Sequence, residues 1–225
     1  MRAIEICKRA ALGVAFLFAC AMAGPVAADE AAERALVVSA INGDLAGVKQ
    51  ALKAGASIDV RDLRGRTALL IATYRNDPEM ARVLIAAGTD VNAKDNIADT
   101  PFLYAGAEGR NEILKMVLEV GADLKSTNRY GGTALIPAAH HGHVETVKIL
   151  LRTAIDKDHV NKLGWTALLE AVILGDGGAV HTEIVRKLVA AGSNLNIADR
   201  DVEAKGKDSG PVQAKKVSEE ATAAA

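Results

Sequence analysis

Four short segments, Thr67-Ala68-Leu69-Leu70, Thr100-Pro101-Phe102-Leu103, Thr133-Ala134-Leu135-Ile136 and Thr166-Ala167-Leu168-Leu169, begin 33 residues apart each time. A period of that length holds one supersecondary unit, too small to bury its own apolar face, so the units must stack into a continuous array. A chain built this way offers an extended surface in place of a single deep catalytic cavity.

The threonine of each unit stands where a helix should begin, with its hydroxyl able to accept from an orphan amide of the first turn. Pro101 falls at the first helical position, where its missing N–H is harmless. Small residues follow at Ala72, Ala105, Ala138 and Ala171, so neighbouring helices can approach closely. A second helix carries Val83-Leu84, Ile113-Leu114, Val147 with Leu150-Leu151, and Val185 with Leu188-Val189 as one buried stripe. Gly55, Gly88, Gly121 and Gly192 then end the second helices, at the position that favours a left-handed residue. Each unit therefore reads as helix, short turn, helix and extended loop.

Gly65-Arg66-Thr67-Ala68-Leu69, Ala87-Gly88-Thr89-Asp90-Val91-Asn92 and Gly142-His143-Val144-Glu145-Thr146-Val147 resemble the ankyrin repeat, with its Thr-Pro-Leu-His-x-Ala pattern and 33-residue period. The resemblance spans about residues 36–200. It implies an all-α solenoid of helix-turn-helix repeats with short hairpin loops, occupying 29–202. Its five units lie at about 34–66, 67–99, 100–132, 133–165 and 166–202, the first an atypical capping unit without the threonine. The function implied is non-enzymatic binding of a protein partner.

The ends of the chain read differently. Residues 1–28 form a signal-peptide pattern: basic Arg2, Lys8 and Arg9, an apolar run from Ala10 to Ala23, and small residues Val26-Ala27-Ala28 before a cleavage point. Cleavage after Ala28 leaves 197 residues beginning at Asp29, exported to a bacterial periplasm. A second route is lipidation of Cys20 in Leu17-Phe18-Ala19-Cys20, a poor lipobox because of bulky Phe18. Both cysteines, Cys7 and Cys20, lie in this leader, so the mature chain holds together by packing alone. It keeps 24 basic and 27 acidic residues, and this near-neutral balance gives no electrostatic reason to expect nucleic acid. Residues 203–225 lack an apolar stripe and read as a disordered tail. The fifth unit is then uncapped, which suggests self-association there.

Two departures from the period stand out. Ala154 replaces the glycine after the fourth unit's second helix, so the loop through Asp156 to His159 is expected to take another route. The fifth unit carries five extra residues, since Glu145 lies 12 after its threonine and Glu183 lies 17 after Thr166. The insertion, around Gly175-Asp176-Gly177-Gly178-Ala179, reads as a glycine-rich bulge between the two helices.

By the resemblance, partners bind at loop tips and on the exposed side of the first helices. Those places hold Leu63, Arg64, Arg66, Tyr74 and Arg75, then Asn96, Ile97, Asp99 and Glu108. Next come Arg129, Tyr130, His140 and His141, and finally Lys162, Leu163, Trp165, Ile173 and Leu174. Arg64, Arg66, Tyr74, Arg75, Tyr130, His140, His141, Trp165 and Leu174 are the candidate partner-binding set, because Tyr, Trp and Arg dominate binding hot spots. Trp165 could instead pack on the neighbouring loop.

All five histidines, His140, His141, His143, His159 and His181, fall in one stretch and raise an alternative metal-handling or enzyme-like role. No pair has the i, i+4 spacing of a helical zinc site, and no cysteine remains to help, so no metal or cofactor is expected. No nucleophile elbow, phosphate loop or His-Glu-x-x-His motif is present, so no catalytic residue is assigned.

Overall fold

A computed structural model of the chain describes residues 25–175 and 177–197. Ten helices make up the regular structure of these residues: α1 Pro25–Asn42, α2 Leu45–Lys53, α3 Ala68–Arg75, α4 Pro78–Ala86, α5 Pro101–Ala107, α6 Asn111–Glu119, α7 Leu135–His140, α8 Val144–Leu150, α9 Ala167–Ile173 and α10 Ala179–Ala190. Helix α1 runs across the expected cleavage point after Ala28. The rest of the expected leader, residues 1–24 with both cysteines, and the expected tail 203–225 lie outside the described residues. None of the described helices is long and apolar enough to cross a membrane.

The helices stack in two layers. Odd-numbered helices pack on odd-numbered ones and even on even, and each pair within a unit forms a hairpin. The reason lies in the first helices, which are apolar almost all round: Ala68 to Thr73 are all buried in α3. Such a helix is stable only with neighbours on several sides, here its own second helix and the first helices of the units before and after. Small residues set the spacing. Gly106 in α5 stands so close to α7 that an added Cβ would lie 2.7 Å from the Ala134 methyl carbon. Between the layers lies one continuous core, from Leu36 through Met80, Phe102, Ile113 and Leu150 to Leu188.

The capping expectations hold in three units of four. The hydroxyls of Thr67, Thr100 and Thr166 accept from the amides of Leu70, Leu103 and Leu169 at 3.1–3.3 Å, and Pro101 opens α5. Thr133 departs from the pattern. Helix α7 starts at Leu135, the Ile136 amide bonds the Thr133 carbonyl at 3.3 Å, and the buried Thr133 hydroxyl has no partner. The glycines after the second helices adopt left-handed backbone, with φ of 93° at Gly55, 87° at Gly88, 92° at Gly121 and 79° at Gly192.

The lost glycine at Ala154 does redirect the chain. In the other units the amide after the glycine reaches five residues back, as Thr89 does to the Leu84 carbonyl at 3.3 Å, whereas the Ile155 amide turns to the Thr153 hydroxyl at 3.2 Å. The insertion is less of a bulge than its glycines suggest. The N-cap of the second helix follows the unit's threonine by 10 residues at Asp77, Arg110 and His143, and by 12 at Gly178. Helix α10 has 12 residues where α4 and α6 have 9. Two inserted residues therefore lengthen the turn and three extend the helix. Asp176 lies outside the described residues. On α10, Glu183 pairs with Lys187 at 2.7 Å and with Arg186 at 2.9 Å.

Candidate protein-binding site

Each loop tip is built by one side chain that ends five residues before the unit's threonine. Asp62 Oδ1 accepts from the amides of Arg64 and Arg66, Asp95 from Ile97 and Asp99, Asn128 from Tyr130 and Gly132, and Asn161 from Leu163 and Trp165, at 2.9–3.1 Å. An Asx acceptor that satisfies two amides fixes a tight turn. Across the turn, Gly65, Ala98, Gly131 and Gly164 all have positive φ, so Ala98 alone holds a left-handed position with a side chain. Adjacent tips bond each other: the Asn96 amide to the Arg64 carbonyl and the Lys162 amide to the Tyr130 carbonyl, both at 3.0 Å. Side chains add to this, Asn96 Nδ2 reaching the Leu63 carbonyl and Lys162 Nζ the Arg129 carbonyl at 2.8 Å.

Beneath the tips of the third to fifth units a groove of about 570 Å³ runs across the first helices α5, α7 and α9. Its walls include Tyr74, Ile97, Tyr104, Tyr130, Leu163, Trp165 and Leu174; its polar groups include Asp99, Glu108, Arg129, His140, His141 and Glu170. Tyr74 and Tyr104, from successive first helices, stack at 3.8 Å. Tyr74 also donates to Asp99 Oδ2 at 3.3 Å. Burial and the neighbouring Asp95 push the Asp99 carboxyl above its usual range, and burial followed by Asp99 pushes the Tyr74 phenol up as well. At the other end Glu170 is only 7% exposed, with Oε2 3.1 Å from His140 Nδ1 and Oε1 3.5 Å from Asn161 Nδ2. Burial raises the Glu170 carboxyl, against the opposing pull of His140.

Of the residues expected at the site, Tyr74, Tyr130, His140, His141, Trp165 and Leu174 come together in this groove. Arg64, Arg66 and Tyr74 line a second, smaller groove of about 200 Å³ nearer the N-terminus, with Leu63 and Ile97. Arg66 is held there by an ion pair of 2.6 Å to Asp62 and lies 5.5 Å over the Tyr74 ring. Burial pushes the Asp62 carboxyl up, but Arg66 and the tip amides outweigh it and hold the group low. Arg75 lines neither groove and instead donates back to the Ile41 carbonyl at 2.7 Å. His141 occupies the equivalent place one pair of units later, with Nδ1 2.8 Å from the Ala107 carbonyl. Both side chains thus clamp a first helix to the one before it. Trp165 packs against the core, where the sequence had offered the neighbouring loop as the alternative, and it also faces the groove; its Nε1 is buried with no partner.

Tyr104 and Glu170 were not among the expected site residues, although both stand four residues after their unit's threonine, as Pro137 does. The signal was present: on a helix, i and i+4 share a face, so Glu170 lies one turn before Leu174 and Tyr104 one turn before Glu108. The histidines work mainly between units. His140 faces Glu170, His159 Nε2 lies 2.7 Å from the Gly131 carbonyl, and His181 Nε2 lies 3.1 Å from the His140 carbonyl. His143 packs over Gly109, and burial, then His141, lowers its imidazole. Among the described residues no three His, Cys, Asp or Glu side chains converge as metal ligands.

The two-layer stack, the threonine caps and the hairpin tips agree with the comparison of the sequence with protein families. The family model described as ankyrin repeats, in three copies, matches residues 35–128 and again 102–199. The chain belongs to the ankyrin repeat family. Solved ankyrin repeat structures agree: a domain from Acinetobacter baumannii AYE is 50% identical, with a TM-score of 0.75, covering 84% of this chain and 96% of that one. The ankyrin repeat protein EF0377 is 38% identical, also with a TM-score of 0.75, covering 84% of this chain and 97% of its own. No curated protein matches the chain. Ankyrin repeats are protein–protein interaction modules, so the fold carries the resemblance through to its general role.

Proposed function

We propose that this ankyrin repeat chain is a non-enzymatic binding module, exported to the periplasm, that receives a protein partner on its concave face in the groove across α5, α7 and α9. The observation that carries the proposal is where the apolar surface lies. Of the nine large hydrophobic side chains exposed among the described residues, Ile97, Tyr130, Leu163 and Leu174 border this groove, and Leu63 borders its smaller neighbour. Exposed apolar groups concentrated in one concave region mark an interaction site. His140, His141, Asp99 and Glu170, titratable groups of the groove, are tied to neighbouring repeats or to one another. Because tips and first helices are rigidly cross-bonded, a partner loses little freedom to order on this side of the complex.

The test is crosslinked capture from periplasm with mature protein, comparing wild type with Tyr130→Ala and Leu163→Ala. Both side chains are about half exposed, so truncation should leave Tm unchanged while removing a specific captured protein. Capture that both variants retain in full would refute the concave-face assignment. Export is tested by the N-terminus of the protein recovered from periplasm, expected at Asp29; recovery of the whole chain from cytoplasm with Met1 intact would refute it. Self-association through α10 is tested by sedimentation, a strict monomer at all concentrations refuting it.

A further inference from the structure

We propose that the fourth- and fifth-repeat end of the groove receives an arginine side chain of the protein partner, with its guanidinium at Glu170 and its stem along Trp165. This inference rests on the concave-face reading and names the chemistry of what binds there. The groove is unequal in charge. Asp99, Glu108 and Glu170 line it against one full cation, Arg129, which lies at the exposed rim 4.6 Å over the Tyr130 ring.

Glu170 is the unusual member. It projects from the middle of a first helix, where the preceding units place Ile71, Tyr104 and Pro137. An apolar residue there would need no further partner. A carboxylate that is 7% exposed is costly to ionise without hydrogen-bond donors. The fold supplies it one close partner, His140 Nδ1 at 3.1 Å from Oε2, and a long contact from Asn161 Nδ2 to Oε1 at 3.5 Å, leaving Oε1 poorly satisfied. Burial accordingly raises its carboxyl.

The surroundings select the shape of the missing donor. Trp165, Leu163, Leu174, Ile136 and Pro137 line the same cavity and form an apolar passage to the carboxylate. Leu163 and Leu174 remain 52% and 45% exposed. A long apolar stem ending in a cation matches this sequence of surfaces. Arginine fits better than a compact ammonium, because its planar fork stacks on indole and is weakly hydrated enough to enter a buried ion pair.

Trp165 is the chain's one tryptophan and lines the site, so it reports on the site directly. The probe is Nα-acetyl-arginine amide, titrated against full-length protein by tryptophan fluorescence, with Nα-acetyl-citrulline amide as the neutral isostere. The expected result is a saturable change with the arginine probe and binding weaker by about tenfold or more with citrulline, the size of losing a charge-assisted bond. Glu170→Gln should abolish the difference between the two probes, while Glu145→Gln, on the exposed side of α8, should keep it. Equal responses to arginine and citrulline, or no saturable response to either, would overturn the inference, and that comparison needs no variant to fold. A phage-displayed peptide library separates the two levels of reading. Peptides selected on the groove without arginine, bound equally by Glu170→Gln but lost with Tyr130→Ala, would overturn the arginine site and leave the concave face standing.

Discussion

Replacing Ala98 by glycine should stabilise this protein. Ala98 sits at φ 65° in the second loop tip, where the other three tips place Gly65, Gly131 and Gly164 at 76°, 74° and 86°. In that region an L side chain crowds the following carbonyl, at a cost of about 1–2 kcal/mol. Glycine removes the crowding but gives the unfolded chain more freedom, which takes back about 0.4–1 kcal/mol. The net gain is about 0–1.6 kcal/mol, centred near 0.8, or up to roughly 6 °C in Tm for an array of this size. The bonds that hold the tip, Asp95 amide to Asp99 carbonyl at 2.9 Å and Ala98 amide to Asp95 carbonyl at 3.1 Å, belong to the backbone and survive the change. Differential scanning calorimetry should be run beside the reverse substitution, Gly131→Ala. There a new Cβ would stand 2.9 Å from Lys162 Cγ and 3.3 Å from its amide nitrogen, on backbone at φ 74°, with an expected loss of about 1–3 kcal/mol. If Ala98→Gly lowers Tm, or Gly131→Ala leaves it unchanged, the argument that these tips require a left-handed residue is wrong.

The other expectations concern caps, core and charge. Thr100→Val should cost about 1 kcal/mol in urea unfolding through loss of the cap, whereas Thr133→Val should be neutral or stabilising, because the hydroxyl it removes is buried without a partner. Phe102, fully buried in the middle of the array, should cost about 3–5 kcal/mol when cut to alanine, read from the same unfolding curves. Asp62 and Glu170 should act in opposite senses on pH-dependent stability. Asp62 has a lowered folded pKa, so its contribution is present above the unfolded value near 3.9 and is lost as pH falls through the lower folded one. Glu170 has a raised folded pKa, so its contribution is present below the unfolded value near 4.3 and is lost as pH rises through the higher folded one. Thermal melts from pH 3 to 7 should therefore show a smaller acid loss in Asp62→Asn and no stability penalty at pH 7 in Glu170→Gln. The reverse pattern would mean that the burial argument has the wrong sign.

The sequence alone determined the repeating unit. A 33-residue spacing of threonine, apolar stripe and glycine can be satisfied by one kind of packing, because local caps and one buried face per helix are properties of neighbouring residues. That is why Thr67, Thr100 and Thr166 cap as expected, why Gly55, Gly88, Gly121 and Gly192 turn left-handed, and why Ala154 diverts its loop. The tertiary structure decided what lies between units. Whether Arg75 faces a partner or clamps Ile41, and whether His140 meets Glu170, depend on contacts between residues some 30 positions apart. Those contacts turn on where a side chain lands against the next repeat, which a period fixes only to the level of the backbone. Glu170 is the clearest case: one carboxylate in a series of uncharged residues became notable only when α9 packed on α7 and left it with one close partner, His140.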